Sequence, residues 1–263
     1  MTSLIYPRDA GDPCLDDFRA LSTADRRPDR PGGRGLVIAE GTVVVRRLLS
    51  SPYPVRAVLG VERRVRELAP ELPDVPAYVT SAEMMAEVVG FHLNRGVLAV
   101  ADRSPQPQVD EILARSRVVA VLEGVGDHEN LGSLFRNAAA LGVGGVLLGA
   151  GCADPLYRRS VRVSMGNVLR VPFASIDPWP AGLDLVRRHG FRIAALTPRA
   201  DAIPLSSVDG GKIAVLVGSE GPGLTAEAIA AADLAVRIPM AEGVDSLNVA
   251  TAAAIAFYEL AER

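Results

Sequence analysis

The chain has 263 residues, 49% of them hydrophobic and 22% charged, with a net charge of −3. That apolar share supports a substantial core and argues against disorder as the main state, while no run reaches the roughly 18 apolar residues a membrane span needs. The opening MTSLIYPRDAGDP lacks a basic-then-apolar signal pattern, and two distant cysteines, Cys14 and Cys152, give no disulfide framework, so a reduced, cytoplasmic chain is expected.

Leu15, Phe18 and Leu21 recur at three-residue spacing and predict one short helix. Residues 22–35, STADRRPDRPGGRG, combine charge, proline and glycine and read as a flexible loop. An alternating pattern follows: strand at 36–40, helix at 41–51, strand at 55–60, helix at 61–68, strand at 76–80. A helix opened by Ser81 covers 81–89, and an apolar strand covers 96–101. Together these predict a small α/β layered domain over residues 1–105.

DRSPQPQVD at 102–110 is the linker candidate, with two prolines among polar residues. The alternation then restarts with strand 118–124, a helix through 131–142 and strand 143–149. Further strands are predicted at 168–173, 191–197, 213–218 and 234–239. Continuous apolar strands between helices predict a parallel sheet covered on both faces, in a second domain spanning 106–263. Alanine-rich 246–263 predicts a terminal helix starting at Ser246.

Three segments carry polar residues where strands end, the usual place for ligands in parallel α/β sheets. The first runs from Glu123 to Asn137 and holds Asn130, Gly132 and Arg136, with a helix starting near Asn130. Read alone, Asn130 is equally a helix cap and Arg136 a solvated face residue. In the second, Gly218-Ser-Glu220-Gly221-Pro-Gly223-Leu224, an apolar strand runs into three glycines and one carboxylate. Such a stretch suits a loop around a small ligand, or an ordinary strand-to-helix turn with Glu220 in water. The third, Ile238-Pro-Met240 through Gly243 to Ser246-Leu247-Asn248-Val-Ala250, leads into the last helix. Free N–H groups there could hold a polar ligand, or Ser246 could be a plain cap.

The dinucleotide G-x-G-x-x-G fingerprint and the G-x-x-x-x-G-K-[ST] phosphate loop are both missing. Three scattered histidines and no zinc-spaced cysteine pair give no metal site. All but one of the 28 basic residues are arginine, and residues 1–105 balance 14 arginines against 14 acids. Net charge therefore gives no argument for nucleic acid, although local arginine clusters decide phosphate contacts. Arg46, Arg47, Arg56, Arg63, Arg64 and Arg66 form one such cluster, read either as phosphate contacts or as a solvated helix face.

In this order the three segments resemble the motifs of the SpoU-type (TrmH-like) RNA ribose 2′-O-methyltransferases of the SPOUT superfamily. The matching residues are Asn130, Gly132 and Arg136; Gly218 to Leu224; and Ile238 to Ala250. The likeness spans 111–263. Residues 36–101 are more weakly similar to the small ribosomal-protein-like α/β/α module many members carry in front, and His92-Leu-Asn-Arg95-Gly96 departs from its usual His, Gln, Gly ending.

The resemblance implies a C-terminal parallel-sheet α/β domain with a deep trefoil knot, a homodimer, and S-adenosylmethionine as cofactor. It places Leu196, Thr197, Gly218, Glu220, Gly221, Ile238, Met240 and Leu247 around that cofactor. It makes Arg136 the acceptor of the ribose proton or its organiser, with Asn130 orienting Arg136 and with Ser246 and Asn248 holding the acceptor nucleotide. An arginine with a pKa above about 12 is a poor base at neutral pH, so a phosphate clamp is the other role open to it. The front domain would bring structured RNA through Arg46, Arg47, Arg63, Arg64 and Arg66. Ribosomal RNA is the expected substrate. Transfer RNA, or a knotted RNA-binding protein without catalysis, are the alternatives.

Overall fold

The computed structural model describes residues 4–19, 21, 25–27 and 30–261. They form two compact units, one from the first 105 residues with 156–170, the other from 106–155 with 171 onward. The first unit contains β1 (Leu4–Ile5), β2 (Val37–Glu40), α1 (Thr42–Leu49), β3 (Val55–Gly60) and α2 (Glu62–Leu68). β4 (Ala77–Val79), α3 (Ala82–Val89) and β5 (Val97–Ala101) complete its continuous part. Its five-stranded sheet has the order β1-β4-β3-β5-β2, with β1, β3 and β4 parallel and β5 antiparallel to both neighbours.

Each helix of this unit buries the stripe its sequence marks. α1 turns Val44, Val45 and Leu48 inward, α2 turns Val65 and Leu68, and the Ser81 hydroxyl accepts the Met84 N–H to start α3. Leu15, Phe18 and Leu21 are fully buried, but the expected helix is a 3-10 turn, Pro13–Phe18. Three-residue spacing stacks side chains in that tighter geometry. Phe18 meets Tyr78 edge to face at 6.0 Å. Within the loop expected at 22–35, residues 22–24 and 28–29 lie outside the described residues, and the described remainder has neither helix nor strand.

The second unit starts with α4 (Val109–Arg115), inside the stretch read as linker, where the Gln108 N–H is received by Glu111 Oε2 at 3.3 Å. β6 (Val118–Leu122), α5 (His128–Ala140) and β7 (Val146–Leu148) follow. The chain then enters the first unit as α6 (Arg158–Val163) and a 3-10 turn, Asn167–Leu169. The strand expected at 168–173 is therefore absent, and β8 is Phe173–Ser175. Val168 and Leu169 are buried against the first unit, so their apolar run reflects packing rather than sheet pairing. Within that unit the Arg158 N–H donates to Asp25 Oδ2 and its guanidinium to Glu40 Oε1, both at 2.7 Å. The same guanidinium lies 4.1 Å from the Phe91 ring centroid.

α7 (Leu183–Arg188), β9 (Arg192–Leu196), β10 (Ile203–Pro204), β11 (Ile213–Val217), α8 (Ala226–Ala230), β12 (Leu234–Arg237) and α9 (Val249–Ala261) complete the second unit. Its seven strands are all parallel, in the order β10-β12-β9-β11-β6-β7-β8. β6 and β11 are buried along their whole length, as continuous apolar strands between two covered faces should be. From β6 the chain builds outward through β7 and β8, then returns to the opposite side of the sheet. The β6/β11 border is thus the switch point where such sheets open a crevice at their strand ends.

Candidate active site

The loops after β6, β9, β11 and β12 meet at the carboxyl ends of these strands. A cavity of about 710 Å³ opens there. Leu196 and Thr197 line it from the end of β9, Gly218 to Leu224 from the loop after β11, and Ile238 and Met240 from beyond β12. Ser246, Leu247 and Asn248 close it at the start of α9. The structure therefore brings every expected cofactor-contacting residue, from Leu196 to Leu247, onto one cavity together with Ser246 and Asn248.

The β11 loop folds back on itself. Ser219 and Gly223 pair as an antiparallel bridge, with the Gly223 N–H donating to the Ser219 carbonyl at 3.1 Å. A Cβ at position 218 would lie 2.3 Å from the Gly223 carbonyl carbon and the Leu224 nitrogen, so only glycine permits the closure. Gly221 at the tip has φ +83°, a conformation side chains rarely adopt.

Glu123, the last residue of the apolar run through β6, anchors the far end of this loop. Its carboxylate is buried and accepts from Trp179 Nε1 at 2.6 Å, Thr225 N at 2.8 Å and Thr225 Oγ1 at 2.8 Å. Thr225 in turn caps α8. The sequence motifs give Glu123 no role. The available signal was a carboxylate at the end of a fully apolar strand, which must find donors when buried.

Polar side chains converge at the start of α9. Asn248 Nδ2 donates to Asn130 Oδ1 at 2.8 Å and to Glu220 Oε1 at 2.7 Å, while its Oδ1 accepts the N–H groups of Ala250 and Thr251. Asn248, not Ser246, thus caps α9. The helix starts at Val249, and Ser246 stays in the preceding loop, exposed on the cavity wall. The cap of α5 is likewise Asp127, whose carboxylate receives Glu129 N and Asn130 N at 2.9 Å each. An earlier start places Asn130 in the first turn, with its side chain available to Asn248.

Arg136 stands apart from this group. It is exposed on α5, outside the cavity lining, and no hydrogen bond or ion pair engages it among the described residues. Asn137 beside it ties α5 to α9, donating Nδ2 to the Ala250 carbonyl at 2.9 Å. Arg199 at the cavity rim is held by Asp201 at 2.9 and 2.6 Å, and this hydrogen bond holds the Asp201 carboxyl below its usual range. Among the described residues no cluster of three or more metal-ligating side chains occurs, and no helix is long and apolar enough to cross a membrane.

In the first unit, most of the arginines expected to contact RNA already have partners. Arg46 binds Glu71 and Glu67, Arg64 binds Glu67, Arg66 binds Glu62, and Arg56 binds Asp17 and Asp102. Arg47 donates to the Met165 carbonyl, and Arg63 is exposed with no partner among the described residues.

Residues 117–258 match the SpoU rRNA methylase family. An uncharacterized tRNA/rRNA methyltransferase of Mycobacterium tuberculosis is 57% identical over 257 residues, covering 95% of this chain and 89% of that protein. The 23S rRNA (guanosine(2553)-2′-O)-methyltransferase of Bacillus subtilis is 29% identical, over 94% of this chain and 95% of its own. Among solved structures, an AdoMet-bound rRNA methyltransferase from Sinorhizobium meliloti superposes with a TM-score of 0.82 at 23% identity, covering 97% of each chain. The SpoU methyltransferase AviRb from Streptomyces viridochromogenes, solved with AdoMet, gives 0.79 at 23% identity over 95% of this chain and 97% of its own. S-adenosylmethionine is the cofactor of these enzymes. The chain belongs to the SpoU family of RNA methyltransferases.

Proposed function

We propose that this chain transfers the methyl group of S-adenosylmethionine to a ribose 2′-hydroxyl in structured RNA, with ribosomal RNA as its substrate. The observation that carries the reading is the convergence of three strand-end loops on one cavity beside the Asn130–Asn248–Glu220 chain. The cavity fits the cofactor in size and chemistry. Its volume lies within the few-hundred to about 1,000 Å³ usual for small-molecule sites, and apolar walls at Leu196, Ile238 and Leu247 alternate with strand-end backbone groups. Such walls suit an adenine and need no phosphate cradle. The relatives' names add the RNA substrate, and the Bacillus subtilis relative adds the 2′-oxygen.

When bound, the cofactor supplies an electrophilic methyl on a sulfonium that is already a good leaving group. The protein's part is orientation and control of one proton. Ser246 and Asn248, which line the cavity, hold the ribose in this reading. Glu220 and Asn130 fix the Asn248 amide, so its orientation is set before substrate arrives. Arg136 as a guanidinium clamps the phosphate next to the target ribose, and the 2′-hydroxyl proton passes to that phosphate or to water. Because Arg136 lies outside the cavity lining of the single chain, this reading carries with it the homodimer, in which a second copy completes the site; the trefoil knot comes with the family resemblance alone.

The test is Arg136→Ala with tritiated S-adenosylmethionine and unmodified 23S rRNA transcript, followed by mapping of the labelled nucleotide. Transfer is expected to vanish while cofactor affinity stays within a few-fold. Full turnover by this variant would remove Arg136 from the reaction, and label on transfer RNA alone would move the substrate.

A further inference from the structure

We propose that the first unit docks an RNA phosphodiester backbone on the turn at residues 162–166, through Arg47, Arg95 and Arg162, and not through the carboxylate-paired Arg46, Arg56, Arg64 and Arg66. This inference rests on the reading that the substrate is RNA.

Whether an arginine can serve an external phosphate depends on what already holds its charge. Arg46, Arg56, Arg64 and Arg66 each sit within 3.3 Å of at least one carboxylate, so a phosphate would have to displace an internal anion. Arg47, Arg95 and Arg162 have no carboxylate partner among the described residues. Arg47 Nη1 instead donates to the Met165 carbonyl at 2.6 Å, and the Arg95 guanidinium rests on Met165 Sδ at 3.7 and 3.9 Å. Neither a carbonyl nor a thioether carries a full charge, so both guanidinium charges and most of their N–H donors stay available. Arg162 is exposed at the end of α6, and its carbonyl receives the Met165 N–H at 3.1 Å.

The turn is built to present these groups. Met165 has φ +55°, the one positive value at a non-glycine residue among those described. A left-handed conformation at such a residue costs of order 1 kcal/mol or more and persists only where its surroundings impose it. Here Gly166 N donates to the Val161 carbonyl at 2.8 Å, and buried Ser164 binds the Val161 carbonyl through its hydroxyl at 3.0 Å. That strained residue holds both arginines, one through its carbonyl and the other through its sulfur.

The stems are packed as well. A Cβ at position 166 would meet Arg47 Cβ and Cδ at 3.4 Å, and one at position 41 would meet Arg95 Cδ at 2.7 Å. Both side chains have thus lost much of their rotamer freedom before a ligand arrives, which lowers the entropy cost of binding.

The experiment measures binding of unmodified 23S rRNA transcript across a potassium chloride series, using the full chain. The Arg47→Gln/Arg95→Gln/Arg162→Gln variant is expected to bind at least tenfold more weakly at low salt. Its log K against log[salt] slope should be shallower by about two, as follows from losing two or three phosphate contacts at roughly 0.7–0.9 each. Arg56→Gln/Arg66→Gln should bind within twofold of the parent. Replacing the same three residues by lysine should restore most of the slope, which a merely structural role would not. A glutamine variant with parental affinity and slope overturns the inference while methylation by the parent leaves the functional reading intact. If the parent itself neither binds nor methylates RNA, both fall.

Discussion

Asn248 and Glu220, 28 positions apart, are joined by a 2.7 Å hydrogen bond from Asn248 Nδ2 to Glu220 Oε1, and the same nitrogen donates to Asn130 Oδ1. One amide therefore links the loop after β11, the first turn of α5 and the start of α9. Its oxygen does a separate job, capping α9 through Ala250 and Thr251.

These two jobs separate in Asn248→Asp. A carboxylate still accepts the two N–H groups, so the cap survives and the melting temperature should stay within a few degrees of the parent. Both donors are lost, however, and a second anion is set against Glu220. Methyl transfer should fall at least a hundredfold, about 2.7 kcal/mol in the barrier. Asn248→Ala should also lose about 1 kcal/mol of stability, because the cap goes too. Circular-dichroism melts and single-turnover transfer assays distinguish the two variants. An active Asn248→Asp would show that the amide donors do not position anything the reaction needs.

Gly218→Ala probes the loop itself. The added methyl would enter backbone atoms of Gly223 and Leu224, which cannot rotate away as a side-chain tip can. Overpacking of this kind costs about 1–3 kcal/mol, and the loop relieves it by opening its Ser219–Gly223 bridge. Since Gly218 to Leu224 form one cavity wall, cofactor affinity measured by calorimetry should drop at least tenfold. Unchanged affinity would mean that the closed loop is not part of the binding wall.

The alternation of apolar strands with helices was legible because burial on both sheet faces leaves continuous runs such as Val118–Leu122 and Ile213–Val217. The three motifs were legible as segments, and the structure brings Asn130, Glu220 and Asn248 together near strand ends while Arg136 of the first motif stands outside the cavity. What stayed hidden was decided by contacts distant in sequence. Ser246 and Asn248 are equally good caps by residue type, and the structure caps α9 with Asn248, whose amide nitrogen is also held by Asn130 and Glu220. Val168 and Leu169 look like strand residues, but Arg158 holds their segment on the first unit through Asp25 and Glu40. The arginines near α1 and α2 read as a basic patch, while acids at 17, 62, 67, 71 and 102 pair with four of the six, Arg46, Arg56, Arg64 and Arg66. Charge runs do not disclose their partners.

Asp25 offers a test of how α6 is held. It is 1% exposed, its Oδ2 accepts the Arg158 N–H at 2.7 Å, and its Oδ1 has no partner among the described residues. Burial pushes its carboxyl above the usual range, and the Arg158 N–H bond and the charges of Arg158 and Arg103 offset only part of this. A carboxyl whose folded pKa exceeds its unfolded value near 3.9 holds its proton more tightly in the native state. Stability therefore declines as pH rises from that unfolded value through the folded one, then levels off. Asp25→Asn keeps an oxygen for the Arg158 N–H and removes the buried charge. Its melting temperature should exceed the parent's by a few degrees at pH 7.5, and the gap should narrow as pH falls and the parent's Asp25 takes up its proton in the fold ahead of the unfolded chain. Melts across pH 4–8 give the comparison. A variant less stable than the parent at pH 7.5 would show that the Arg158 and Arg103 guanidinium groups need the Asp25 charge more than burial opposes it.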